Sequence, residues 1–233
     1  MIGGLDFSVV SDNLSYFFIG RYPKGPLGGV GLTLYLAVVS LALSFIGGLV
    51  LGLMSVSRNR LLRFGSSTVI QTIRGMPLLM VIFWMFFLLP AMLGSGMTAS
   101  WTIIVALTLF TSAYMSEIVR AGIVGIPKGQ TEAAISTGLS HGQAMFYIIL
   151  PQALRNMIPS FVNQFVSMIK DTSLAFIVGV TELTQIATQI NNRTMLYPTE
   201  IFIFIAVIYF VICFAFTELS RWLERRLAYR KAI

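Results

Sequence analysis

Charge is scarce in this 233-residue chain: only 11% of its residues are Asp, Glu, Lys or Arg, while 56% are hydrophobic and the mean hydropathy is +0.83. Soluble globular chains carry about 25% charged residues, so a water-facing domain is excluded and a bilayer is the expected solvent. Histidine and cysteine are nearly absent too, with His141 and Cys213 the single examples of each. Those counts exclude an intrachain disulfide framework, a Cys- or His-based metal set and a histidine-based catalytic constellation. No Gly-x-x-x-x-Gly-Lys-Ser/Thr phosphate loop occurs, so any ATP is expected to be hydrolysed elsewhere. The chain is expected to hold no catalytic residue, cofactor or metal. The first twenty residues contain Asp6 and Asp12 but no basic residue, unlike a cleaved signal peptide. The membrane segments themselves are expected to direct insertion.

What the chain does have is long apolar runs. Residues 28–57 carry no charge, enough for a long first span at about 20 residues per crossing. Ser40, Ser44, Gly48 and Gly52 recur every four residues along it and lay small side chains on one face, where another helix can pack closely. A second uncharged stretch, 75–116, is too long for one helix. The run Leu93-Gly94-Ser95-Gly96-Met97-Thr98 divides it. A second span is expected at 64–93, interrupted by Arg74 and Pro77, a third at 100–119, a fourth at 157–180 and a fifth at 201–219. The expected fold is all-α: one integral membrane domain over residues 1–233, with about five transmembrane helices.

The net charge of +7 and pI near 9.9 come from sixteen Lys and Arg, which fall at the ends of apolar runs. That placement suits topology-setting charges, and no aromatic-interleaved basic patch of the nucleic-acid kind appears. With the amino terminus outside, the inner face collects Arg58, Arg60, Arg63, Arg120, Lys128, Arg155, Arg221, Arg225, Arg226, Arg230 and Lys231. The outer face holds only Arg21, Lys24 and Arg193. Eleven against three orients the carboxyl terminus to the cytoplasm. Residues 1–27 form an outer segment in which 5–26 suit an interfacial helix. The outer loop 181–199 carries Asn191, Asn192 and Pro198 as turn signals.

The longest segment between spans, 120–155, lies on the inner side and is patterned. Gln130 to Ile135 are helix formers, Gly138 breaks the run, Ser140 can cap a second helix through Gln143 to Leu150, and Pro151 stops or kinks it. Two short helices around a glycine turn make a knob suited to a groove on a partner.

Within that knob stand Glu132-Ala133-Ala134, three residues, Gly138-Leu139, then Ile148 and Leu150-Pro151. This spacing resembles the EAA signature of permease subunits in binding-protein-dependent ABC importers. The likeness continues upstream through Ser112-Ala113-Tyr114, Glu117-Ile118, Arg120-Ala121-Gly122-Ile123 and Gly129-Gln130. Downstream it covers Gln152-Ala153, Pro159, Asn163 and Lys170-Asp171-Thr172-Ser173-Leu174, so the chain resembles the polar amino-acid branch. The run Pro77-Leu78-Leu79-Met80-Val81, with Trp84 and Pro90, resembles glutamate/aspartate permeases. The resemblance implies a type I importer permease of a bacterial inner membrane. Two ATP-binding subunits using ATP and Mg, a second permease (a homologue or itself) and a soluble substrate-binding protein outside would complete it. It assigns the loop around Glu132 to coupling with the ATPase, and implies a polar amino-acid substrate, with glutamate or aspartate first and glutamine, histidine or arginine as alternatives. An ion-coupled secondary transporter is the rival class.

Ionisable residues at membrane depth are costly and point to function. Lys170 and Asp171, followed by Thr172 and Ser173, fall within the fourth expected span. They either line a substrate path or form a structural ion pair between helices. Arg74, with Gly75 and Pro77, marks either an unwound turn open to the path or a packing kink with Arg74 snorkelling inward. Glu117 is expected to partner an arginine.

Overall fold

The computed structural model describes residues 5–93 and 98–229, so 94–97 in the expected break and Arg230 and Lys231 in the charge count lie outside the described residues. Two short helices, α1 (Ser8–Asp12) and α2 (Leu14–Ile19), replace the single interfacial helix expected at 5–26. The long helix α3 (Gly29–Ser55) is the first span.

The second expected span is two helices, α4 (Arg60–Arg74) and α5 (Leu78–Leu93), with a break of 102° between them. Gly75 closes α4, and Pro77 pushes the residue before it out of helical backbone, so one kinked rod over 64–93 cannot form. Asn59 caps α4, its side chain accepting from the Leu61 amide at 2.9 Å, which moves the start to Arg60.

Helix α6 (Ala99–Val124) outruns the third expected span, so the segment expected to leave the helix at Arg120 leaves it at Gly125. The loop after α6 then folds as α7 (Lys128–Ser136), α8 (His141–Gln143) and a π-helical turn over Ala144–Ile149. That turn runs directly into α9 (Leu150–Asp171). Pro151 therefore does not stop the second loop helix, which runs on through it. The π-helical turn directly before it departs from the regular α hydrogen-bonding pattern, which accommodates a residue without an N–H.

A 3₁₀ segment (Thr172–Val178) follows, then α10 (Leu183–Thr194) and α11 (Pro198–Tyr229). The expected turn at Asn191 and Asn192 is helical, because Glu182 caps α10 by accepting from the Thr184 and Gln185 amides at 2.8 and 2.9 Å. Met195, at φ 53°, ends that helix instead.

Among the described residues, α3, α6 and α11 are long and apolar enough to cross a membrane, and the bent pair α4–α5 has the length and composition of either one broken span or a re-entrant loop. Helix α9 spans 22 residues but carries too many polar side chains to join them on composition.

The chain packs as two compact units. The first comprises Met1–Ala42, Pro77–Leu107 and Phe165–Ala215. Its core joins Val9, Val10 and Phe17 to Val30, to Leu183, Ile186 and Ile190 of α10 and to Ile201 of α11. Gly29 adopts φ 57°, and a side chain there would collide with the Phe17 carbonyl. The second unit comprises Leu43–Met76, Thr108–Gln164 and Phe216–Ile233. Here the small-residue face of α3 does what its spacing predicts: Gly48 meets Met115 and Gly52 meets Val119 of α6, with no room for a Cβ. Ser44 Oγ donates to the Thr108 carbonyl at 3.2 Å across the same seam.

Candidate functional site

The loop between α6 and α9 is held in the second unit by its own apolar residues. Ile149, Leu150 and Ala153 are buried with Val119, Ile123, Ile126 and Met157, and Ile148 packs on that cluster. Of the residues expected in the coupling set, Leu150 is buried in that cluster and Ile148 is half-buried against it, while Pro151 beside them is exposed. Glu132 and Ala133 are exposed on α7, Ala134 is turned inward, and Leu139 is half-buried. The Glu132 carboxylate takes part in no ion pair among the described residues.

Gly138 closes α7 at φ 89°, its amide donating to the Ile135 carbonyl at 2.9 Å, and a Cβ there would meet nothing within 4 Å. Its glycine therefore serves the left-handed backbone, with no crowding inside the chain to avoid. Ser140 starts the next helix through a capping box: the Gln143 amide donates to Ser140 Oγ at 3.3 Å, and the Ser140 amide donates to Gln143 Oε1 at 2.9 Å. Gln152 Nε2 ties the far side down, donating to the Ile148 carbonyl at 2.8 Å and to Gln130 Oε1 at 3.3 Å. Phe146 and Tyr147, on the π-helical turn, are 59% and 72% exposed. Sequence reading passed over both, although exposed aromatic residues beside the knob are a signal of contact. A cavity of about 520 Å³ opens at the base of the knob, lined by Leu53, Met54 and Leu62 with Thr131, His141 and Phe146.

A second cavity in the same unit, about 510 Å³, is lined by Arg74 of α4, Tyr114 and Glu117 of α6 and Asn156, Ser160 and Gln164 of α9. Glu117 does find an arginine, as expected: Arg120 donates to its Oε2 through Nε at 3.0 Å and Nη2 at 2.8 Å. Arg74 Nη1 stands 3.9 Å from Oε1, and its guanidinium lies 5.3 Å from the Tyr114 ring centroid. The α9 residues repeat every four positions, from Gln152 to Asn156, Ser160 and Gln164, which puts one polar stripe along the helix. Sequence reading missed this stripe.

In the first unit, Lys170 and Asp171 close α9 where it tightens into the 3₁₀ segment. Lys170 is exposed and Asp171 half-buried, and neither joins an ion pair among the described residues, so the expected structural pair is not formed in this unit. Thr172 is buried, its hydroxyl donating to the Ile169 carbonyl at 2.7 Å, and Ser173 Oγ donates to the Lys170 carbonyl at 2.6 Å. Pro77, at the start of α5, belongs to this unit, and α5 packs against the 3₁₀ segment. Arg74 belongs to the other unit.

Apolar spans, a polar helix lining a cavity and a capped loop knob define the membrane-embedded subunit of a transporter. Residues 44–229 match the family model described as binding-protein-dependent transport system inner membrane component. The chain belongs to that family, as a permease subunit of the amino-acid ABC importers. It is 41% identical over 215 residues to the probable glutamine ABC transporter permease protein GlnP of Bacillus subtilis (strain 168), covering 90% of this chain and 98% of that one. It is 32% identical over 209 residues to the glutamate/aspartate import permease protein GltK of Escherichia coli O157:H7, covering 87% and 93%. Its fold matches a solved structure described as an amino acid ABC transporter with histidines, at a TM-score of 0.83 and 33% identity, over 95% of this chain and 99% of that one.

Proposed function

We propose that this subunit carries a polar amino acid across the bacterial inner membrane by alternating access, as a homodimer or beside a homologous permease, and that two ATP-binding subunits drive it through the loop around Glu132. The observation that carries the reading is the loop itself. A capped, glycine-closed helix pair with Glu132 exposed and its apolar side anchored is a rigid body, and a rigid body transmits the closure of an ATPase pair better than a flexible loop. Glu132, Ala133, Gly138 and Leu139 form the docking face. Ala134, Ile148, Leu150 and Pro151 support it from behind.

ATP and Mg are used by the partner. A soluble binding protein delivers the substrate to the outer face, where the amino terminus lies by the excess of Lys and Arg on the other side. Lys170, Asp171, Ser173, Arg74 and Pro77 line the path, with buried Thr172 behind them. Charges of both signs suit a zwitterion, and the break at Pro77 frees backbone groups for the passage. Glutamate or aspartate is the substrate suggested by the run at Pro77. The likeness of 41% to a glutamine permease, against 32% to a glutamate/aspartate permease, favours glutamine as the second reading.

Proteoliposomes containing this chain, its ATP-binding subunit and its binding protein test both levels. ATP-dependent uptake of one radiolabelled amino acid among glutamine, glutamate, aspartate, histidine and arginine is expected, with E132A abolishing most of it. Uptake driven by a sodium or proton gradient without ATP would overturn the importer reading.

A further inference from the structure

We propose that the cavity at the base of the knob is a binding site for an anionic phospholipid of the inner leaflet; this inference rests on the importer reading above, which puts the loop on the cytoplasmic side. The cavity, at about 520 Å³, is within the size range of small-molecule sites. Its floor is apolar: Ile123 and Ile149 are buried there, and Leu53, Met54 and Met145 line the walls. Its exposed rim carries Arg58 and His141 beside Leu62 and Phe146. An apolar bed under a cationic rim suits a molecule with an acyl chain and a negative head. None of the described residues lining the cavity is acidic.

The positive charge here has no counterpart in the chain. Arg58, Arg60 and Arg63 are all exposed, and none of them joins an ion pair among the described residues. They bracket the start of α4, where Leu61 and Phe64 are 82% and 75% exposed. Exposed arginines alternating with exposed large apolar side chains mark the level at which headgroups meet acyl chains. At that depth the bilayer itself offers both halves of the occupant, a chain for the apolar floor and a phosphate for Arg58, whose guanidinium fork fits phosphate oxygens through paired hydrogen bonds. Thr131 of α7, one position before Glu132, and His141 of α8 line the same cavity as Leu53 of α3. One lipid therefore fills the seam between the first span and both loop helices.

Photolabelling of the purified permease–ATPase complex in nanodiscs tests the site, with a diazirine on the acyl chain of phosphatidylglycerol or, in parallel, of phosphatidylcholine. Phosphatidylglycerol should mark residues 53–62 and 141–149, and phosphatidylcholine should mark them several-fold less. Unlabelled phosphatidylglycerol should compete, whereas glycerol phosphate at the same concentration should not, which separates a lipid from a free phosphate ester. Raising the salt concentration should narrow the difference between the two lipids. R58Q should weaken the phosphatidylglycerol signal by about fivefold, the size of one Arg contact with an anionic leaflet, and R58K should retain most of it. M54W, which fills the cavity without altering charge, should lose the signal. Arg58 is exposed, so R58Q leaves the packing intact and decides the result even if M54W fails to assemble. Equal marking by the two lipids, or marking unchanged in R58Q, would overturn the site. So would marking that appears only when the ATPase is stripped away, since the ATPase would then cover the cavity in place of a lipid. Labelling needs no transport, and ATP-driven uptake by the wild-type complex with its binding protein, measured in parallel, reports on the importer reading alone.

Discussion

Gly138 offers the sharpest test of how the knob works. It holds φ 89° with nothing within 4 Å of the position a Cβ would take, so a substitution meets no steric overlap within the chain. The cost that remains is conformational. An L-residue in left-handed backbone costs roughly 1–2 kcal/mol, and Asn tolerates it better than Ala or a β-branched residue. One or two kcal/mol is a factor of about 5–30 in an equilibrium. G138A should therefore lower the population of the docking conformation, and with it the affinity for the ATP-binding subunit, by that factor. G138V should fall further and G138N less than either. Surface plasmon resonance of the ATP-binding subunit over nanodisc-held permease measures the affinity, and ATP-driven uptake measures its consequence. The spans lie outside the perturbation, so the thermal unfolding of the solubilised subunit should move little. Wild-type affinity in G138V would refute the argument. So would G138N as weak as G138V, since side-chain bulk at the interface would then explain the loss.

Three further substitutions probe the supports. S140A removes the capping box at α8 and should cost about 1 kcal/mol, read as faster hydrogen exchange over residues 141–149. G52L places a side chain into Val119 and should destabilise by roughly 1–3 kcal/mol, seen as a lower Tm that V119A partly restores. E182A removes the acceptor for two α10 amides and for the Tyr209 hydroxyl at 3.0 Å in a fully buried position, so about 2–4 kcal/mol should be lost. E182Q and Y209F should each cost less, and equal Tm values across the three would show that the network is idle.

Elements governed by local chemistry were legible in the sequence. The uncharged run at 28–57 became α3, its four-residue repeat of small side chains became the seam with α6, and Ser140 with Gln143 became a capping box. Misreadings arose where a residue has two possible neighbourhoods. Pro151 looks like a stop, yet the helix runs on through it behind a π-helical turn that the residue types do not announce. Asn191 and Asn192 look like a turn, but buried Glu182 starts a helix early enough to run through both. For Ile148 and Leu150 the family spacing says that they matter without saying which way they face, and the structure adds that Leu150 is buried in the cluster with Ile126 and Met157 while Ile148 lies half-buried against it.

Helix α9, at 22 residues, is left out of the candidate spans by its composition. Lipid rewards an apolar surface all round, and α3 and α11 have one, but a helix beside a passage must carry polar groups where the passage runs. In α9 those groups are ordered. Asn156, Ser160 and Gln164 fall on one stripe that opens on the Arg74 cavity, while Ala153 and Met157 are buried among apolar neighbours. A polar residue scattered at random in a span would cost stability wherever it met lipid, so the stripe has to be shielded by protein or water along its length. The stripe's own prediction follows. Changing Asn156, Ser160 and Gln164 together to Leu should make α9 a better membrane helix and raise the Tm of the subunit, while ATP-driven uptake falls to background. Uptake that survived the triple change would mean that the stripe is only a packing surface, and would move the passage to another helix.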